Sequence, residues 1–537
     1  MIQTHSDSNH DSIRLNLDLR VLSADQENPW ILWLNSRLNQ IPGINARLKT
    51  GPPRTSSNQD RLTRWSMLTE QRLAKTRPWP KVSSSPELPA VIPDVVVDLT
   101  GSVQRRHGDF HGQLWWLLAV SAFVTPNGLQ GYLEAKSRIP TIHVMLYAQS
   151  IIDKKALLIA ETRINTKLCG AMNSQNILST VPMLIEKGLK TSSRIDNGDS
   201  THAVHPVDDV SAKSSVSSEQ RVSTFDRIKG MLRLQYVTRS EDVKRRLNQR
   251  PGMWSLYFGT GEFLSHSLAD LTEARPPGNE YWADPFLWEH DGSLYVFFEA
   301  YDYGTSHGRI AVGLWSDNRL TVCGDALALP HHLSYPFLIQ HEDALLLIPE
   351  SCAANRVEIW QCVQFPTGFT RIATCFEGMQ IADLTLFCRD EQWWAFCCSA
   401  KPGSRNMNSE LYAFAVEGPL MQHPVAHSNN PIVTDCRYAR PAGRIFQKHG
   451  IWYRPSQNNS HGVYGYGLNL MQITTLTMDE YSEQPVRQVQ PDFVAGLKGT
   501  HHLDQQQCIF VMDACHAVGG RVTKHSTAVL EYRTSAV

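Results

Sequence analysis

The chain has 537 residues, 42% of them hydrophobic and 19% charged, with a formal net charge of −1. Single cores rarely grow past about 250–300 residues, so this length predicts two or three domains. A near-neutral balance offers no basic field for nucleic acid or an anionic membrane, and neither is expected as a partner.

In chain order, the first fifteen residues, MIQTHSDSNHDSIRL, are polar and lack the apolar core of a secretory signal. Residues 15–22 read as a strand, and residues 61–76 as a helix with Leu62, Trp65, Leu68 and Leu73 at helical spacing. Residues 93–100, PDVVVDLT, form an apolar run ending in a polar turn, as in a buried parallel sheet. This alternation predicts an α/β layer over residues 13–190. The longest uncharged apolar run, residues 114–124, falls far short of the about 20 residues that cross a bilayer, so no transmembrane segment is expected. Eleven cysteines are scattered without any C-x-x-C pair, and Cys397 and Cys398 are adjacent, so they read as buried thiols of a soluble, cytoplasmic protein.

Residues 191–224 are rich in Ser, Asp and Thr and poor in large apolar side chains, which predicts a disordered linker. Beyond it, over residues 230–537, five related segments follow: ADPFLWEHDGSLYVFFEA from Ala283, SYPFLIQHEDALLLIPES from Ser334, ADLTLFCRDEQWWAFCCS from Ala382, PAGRIFQKHGIWYRPSQN from Pro441, and THHLDQQQCIFVMDAC from Thr500. Each is a strand, a tight polar turn and a second strand. The turn markers Gly292, Asp343, Glu391, Gly450 and Gln506 step by 51, 48, 59 and 56 residues, the length of a four-stranded blade with its loops. The expected fold is a five-bladed β-propeller, with residues 254–258 supplying the strand that closes the ring.

Seven residues after the markers stand Glu299, Glu350, Cys398, Gln457 and Asp513; eight before the first three stand Asp284, Tyr335 and Asp383. Arg440 and His501 with His502 hold the matching region of the last two repeats. First strands line a propeller's axis, so these side chains are expected to converge, with Arg454 and the ring of Trp282 nearby. Carboxylates, arginines, an amide and aromatic rings suit sugar hydroxyls and ring faces. In the functional reading Asp284 is base or nucleophile, Asp383 the second acid, and Arg440 with Arg454 clamp a carboxylate or phosphate. Glu299, Tyr335, Glu350, Gln457 and His501 complete the binding set. The architectural alternative is that the acids and arginines only tie blades together. Cleavage of a glycosidic bond needs two carboxyl groups about 5–5.5 or 6.5–9.5 Å apart. His331-His332 and His501-His502 lack the spaced partners of a zinc site, calcium at the axis is compatible with the acids but not required, and no metal or cofactor is expected.

Two resemblances bear on this. The segment ADP-F at residues 283–286 resembles the first blade of the furanosidase propellers that cleave arabinan, xylan and fructan, which implies that Asp284 is their base or nucleophile; their second-blade Asp is replaced by Ser334-Tyr335-Pro336. More broadly, YWADPFLWEHDG, YPFLI…IPES, RVEIW, ADLTLF, RYARPAGRIF, YRPSQN and YGYGLNLMQITTLT resemble the N-terminal domain family of the glucosamine inositolphosphorylceramide transferases. That resemblance implies surface-glycan or glycolipid metabolism. It also implies a formyltransferase-like, Rossmann-type α/β domain before the propeller. Here that domain reads as degenerate: RRHGDFHGQ follows PDVVVDLTGS without Ser-Leu-Pro, and Asp153 is followed by two lysines, leaving His107 and Asp153 as remnants. Three functions follow as expectations: a carbohydrate-active propeller that binds and transfers or cleaves a glycosyl group; a non-catalytic glycan-binding scaffold for a partner glycosyltransferase; and formyl or acyl transfer to an amino sugar by the first domain.

Overall fold

The computed structural model describes residues 15–21, 28–50, 69, 72, 79, 95–99, 114–120, 131–150, 156–196, 206–207, 228–237, 239, 252–278, 280–400 and 407–516. They fall into two compact units, Met1–Thr162 with Lys167–Leu234, and Arg163–Thr166 with Gln235–Val537.

The first unit holds a seven-stranded sheet. In spatial order its strands are Ile44–Thr50, Leu15–Val21, Val95–Asp98, Leu114–Val120, Thr141–Ser150, Ala156–Asn165 and Pro206–Val207. The first four are mutually parallel, and Leu114–Val120 pairs antiparallel with Thr141–Ser150. Val95, Val96 and Val97 are buried, as a strand with parallel neighbours on both sides requires. Helix Pro29–Leu38 starts where the Asn28 side chain accepts the Trp30 N–H and Pro29 presets the first turn. Helix Gly170–Asp196 buries Ile177, Val181, Leu184 and Ile185 along one stripe. It runs six residues into the stretch read as linker, and Pro206–Val207 pair with the sheet. Most of the helix expected over 61–76 lies outside the described residues, as do His107 and Asp153.

The second unit consists of five sheets. The first four have their strands in chain order: Glu280–His290 to Arg319–Leu327, Ser334–His341 to Gly368–Cys375, Gln380–Arg389 to Gln422–Ala426, and Phe446–Lys448 to Tyr481–Val489. The hairpins turn where the markers predicted, with Asp291 and Gly292, Asp390 and Glu391, and His449 and Gly450 all at positive φ. The fifth sheet is composite. Ile509–His516 pairs on one side with the short inner strands Leu497–Gly499 and Leu503–Gln506 and on the other with Met253–Thr260, which arrives from before the first blade. The expected closing strand is therefore present.

Apolar packing runs all the way round. One core joins the fifth blade to the first through Leu256, Phe258, Val511, Trp282 and Phe298. Another joins blades one to three through Phe286, Phe297, Phe337, Ile348 and Leu386. Phe387 and Phe396 meet Ile445 and Ile473 between blades three and four, and Tyr453 and Leu470 meet Leu503 and Phe510 between four and five. No blade face is left without a neighbour, so the five-bladed ring is closed. Among the described residues no helix is long and apolar enough to cross a membrane.

Candidate functional site

Each of the first three inner strands carries the same irregularity. Pairing slips between Ala283 and Phe286, between Ser334 and Phe337, and between Ala382 and Thr385, so two residues bulge against one on the partner strand. The first bulged residue has φ of 52° at Asp284, 45° at Tyr335 and 50° at Asp383. A left-handed non-glycine residue costs free energy, and recurrence at one level of three blades marks that level as the built part of the molecule. In the fourth blade Gly443 breaks the strand at φ 130°, where an added Cβ would lie 1.8 Å from the Leu503 carbonyl oxygen, so only glycine fits.

The bulges release backbone N–H groups from the ladder, and carboxylates capture them. Asp513 accepts from the amides of Asp284 at 3.0 Å, His501 at 2.9 Å and His502 at 3.0 Å. Asp284 in turn accepts from Tyr335 N–H at 3.2 Å, and Glu350 from Asp383 N–H at 3.3 Å. Side chains then link across blades. Arg440 donates to both oxygens of Asp383, at 2.5 and 3.3 Å, and to Asn408, and lies 3.6 Å from Glu350. Gln457 donates to Asp383 at 3.1 Å. His501 Nδ1 is 2.7 Å from Asp513 and its Nε2 3.9 Å from Asp284, while Tyr281 donates to Glu299 at 3.0 Å. Asp284, Glu299, Glu350, Asp383, Arg440, Gln457 and His501 thus meet in one network, as the repeat positions predicted.

Four expectations need correction. Arg454 does not join the network: its guanidinium grips Glu483 at 2.6 Å and the carbonyls of Tyr438 and Ala439. Arg454 stands three residues before Gln457 on one strand, and odd spacing places the two on opposite faces of a sheet. Tyr335 is buried, and its hydroxyl is engaged by Thr385 Oγ1 at 2.6 Å and by the Gly443 backbone, so it ties blades together and stacks on no ligand. Trp282 is likewise core, packed on Phe298. Arg440 does sit at the axis, yet its donors are committed to Asp383 and Asn408, which leaves no free fork for a carboxylate or phosphate.

The sequence reading missed the rim and a cross-axis pin. Trp254 stacks on His501 with centroids 4.2 Å apart; Tyr464, 43% exposed, meets the same imidazole edge-on and covers Arg440 at 5.1 Å. Tyr281 stacks on Tyr301, and His332 Nε2 approaches Glu299 at 3.6 Å. The Gly-Tyr-Gly at 465–467 and the paired histidines were visible signals, but only ring closure brings them together. Arg444 bonds to Asp504 and to the Leu338 carbonyl, while Asp504 accepts the Leu287 N–H, joining four inner strands.

Burial sets the proton affinities. Desolvation raises Asp284 to about 7, opposed by His501 and reinforced by Asp383 and Asp513. Burial and neighbouring carboxylates hold Glu299 and Glu350 well above the usual carboxylate range. Burial opposes charge on His501, but Asp513 more than offsets it and raises the imidazole, whereas buried His502 is pushed down to about 3. Asp284, His501 and Asp513 bring one ligand atom each to within 4.8 Å of one another. The fit to a metal is poor, because Asp513 is already occupied by three amides and the His501 ring.

Residues 266–511 match the family model described as glucosamine inositolphosphorylceramide transferase 1, N-terminal. The propeller is similar to that family over this stretch. Among curated proteins, glucosamine inositolphosphorylceramide transferase 1 of Oryza sativa subsp. japonica is 31% identical over 274 residues, covering 48% of this chain and 36% of the relative. The protein of the same name from Arabidopsis thaliana is 28% identical over 224 residues, covering 41% and 29%. The chain therefore spans about a third of the length of the curated relatives it matches. Similar solved structures include RS223-β-xylosidase (TM-score 0.33, 10% identity, 44% of this chain and 92% of that one) and Zg3597, a family 117 glycoside hydrolase of Zobellia galactanivorans (TM-score 0.33, 10% identity, 50% and 93%).

Proposed function

We propose that the axis of this glucosamine inositolphosphorylceramide transferase-type propeller binds a glycosyl group, with Asp284 as the carboxylate that acts on it. The single observation that carries the reading is the convergence of bulged inner-strand residues from several blades on one buried polar network edged by Trp254, Tyr281 and Tyr464. Aromatic faces beside convergent acceptors and donors are what a sugar ring with its hydroxyls requires. Asp284 accepts a proton near neutrality and so suits a general base. The curated relatives' name, which joins glucosamine to inositolphosphorylceramide, supports a glycolipid as the carrier of that group.

A second reading, recognition without turnover beside a separate glycosyltransferase, is favoured by one finding. Asp383, the expected second acid, spends its oxygens on Arg440 and Gln457, leaving Asp284 without that partner across the bond. Formyl or acyl transfer by the first unit rests on His107 and Asp153, outside the described residues. The test is incubation of the full chain with glycan and glycolipid panels, following both melting temperature and product by mass spectrometry. Turnover abolished in Asp284→Asn supports the catalytic reading. A thermal shift without product supports recognition, and neither response from any glycan defeats both.

A further inference from the structure

We propose that the exposed face of the helix over residues 228–237 is a docking surface for an anionic lipid membrane, along which the helix lies without crossing it. The helix falls outside residues 266–511, and the proposal does not rest on the glycosyl reading of the axis.

This helix is apolar on two sides. Met231 and Leu234 are buried, and Leu234 packs with Cys169, Ala171 and Met172, which is the ordinary core-facing stripe. Ile228, Leu232 and Tyr236 follow at intervals of four, so they stack on a second stripe. Leu232 is 61% exposed, Tyr236 74% and Ile228 44%, so that stripe stands in water. Lys229 and Arg233, each one position further on, flank it along its length, and Arg239 stands three residues past Tyr236; all three are exposed. Among the described residues none of these three cations is paired with an acid. Residues 227–239 carry four cations and no acid, a local excess that the net charge of −1 over the whole chain conceals.

An apolar stripe edged by cations suits one occupant. A bilayer interface takes Leu and Ile among the acyl chains, holds a tyrosine at headgroup level and attracts Lys and Arg when its lipids are anionic. A second copy of this chain would set Lys229 and Arg233 against their own kind. A partner protein needs more room. A helix of this length is about 15 Å long and about 10–12 Å across, so its face is a small part of the about 800 Å² that each side of a stable complex buries. A fluid membrane demands no matching surface of that size. The helix also has about half of the roughly 20 residues that cross a bilayer, so it rests in the plane of the interface.

The test is sedimentation of the full chain with sucrose-loaded vesicles of phosphatidylcholine, either alone or with about 30% phosphatidylglycerol to supply the anionic surface. Binding to the anionic vesicles is expected to be at least about 10-fold tighter than to the neutral ones and to weaken as salt is added. Combined Lys229→Ala and Arg233→Ala should weaken it by about 25-fold, about 5-fold for each cation. Combined Leu232→Ser and Tyr236→Ser should weaken it by at least about 10-fold. All four side chains are exposed, so both variants should keep the wild-type urea midpoint; if the serine variant does not, the alanine variant still decides the matter. Equal binding to the two kinds of vesicle, binding that survives both variants, or binding to neither overturns the proposal and leaves the axis reading untouched. A dimer seen by analytical ultracentrifugation and dissolved by the serine variant, without vesicle binding, also overturns it and assigns the face to a second copy of the chain.

Discussion

Replacing Asp513 by alanine removes the acceptor of three backbone amides, those of Asp284, His501 and His502, together with the counter-charge of the His501 ring. Each buried donor left without a partner costs about 1–3 kcal/mol, so the structure predicts roughly 3–9 kcal/mol before relaxation. Water entering the vacated space recovers part of this, and a loss of at least about 3 kcal/mol is expected, at the upper end for single substitutions. Asp513→Asn keeps one oxygen for two of the amides but turns an NH2 toward a third donor, and should lose about half as much. The assay is urea unfolding followed by tryptophan fluorescence. With a slope of about 3 kcal/mol per molar urea, the midpoint should fall by about 1 M for the alanine variant. A fall worth less than about 1 kcal/mol at unchanged slope would refute the view that this carboxylate holds the bulges in place.

The remaining predictions concern charge. Because burial raises Asp284 from 3.8 to about 7, the folded chain binds more protons than the unfolded chain between those values, so this group's contribution to stability falls as pH rises across that window. The melting temperature of wild type minus that of Asp284→Asn should therefore decline from pH 4 to 7, and a rising difference would contradict the assignment. Arg454→Met strands Glu483, whose side chain is 6% exposed, and should destabilise the protein by about 3–5 kcal/mol while leaving sugar affinity untouched, measured by the same urea assay and calorimetry.

The hairpin repeat was legible because its two signals are local: alternating apolar residues and a turn with positive φ at Asp291-Gly292 or His449-Gly450. From it followed the blade count, the closing strand and most of the axis residues, since equal offsets from equal turns place side chains at equal heights. What stayed hidden depends on distance. Arg440 and Asp383 are 57 residues apart and Arg444 and Asp504 are 60, and nothing in either local sequence says which arginine reaches which acid. Two errors were avoidable. Strand parity separates Arg454 from Gln457, and a tyrosine at a bulge position, where the backbone already turns inward, points into the core and not to solvent. The first unit gives less, because its expected chemical residues fall outside the described residues.

The composite fifth sheet has a consequence for how the molecule comes into being. Residues Met253–Thr260 clasp Ile509–His516 across roughly 250 positions of chain, whereas the other blades are assembled from near neighbours. During synthesis the early half of the clasp must wait, its hydrogen-bonding edge open, until almost all of the propeller has emerged. Closure is thus a late, all-or-nothing event, and the residues that complete the axial polar network, His501 and Asp513 on one side and Trp254 on the other, are delivered by that same final step. A chain halted before residue 509 would have four complete blades and an axial network without Asp513.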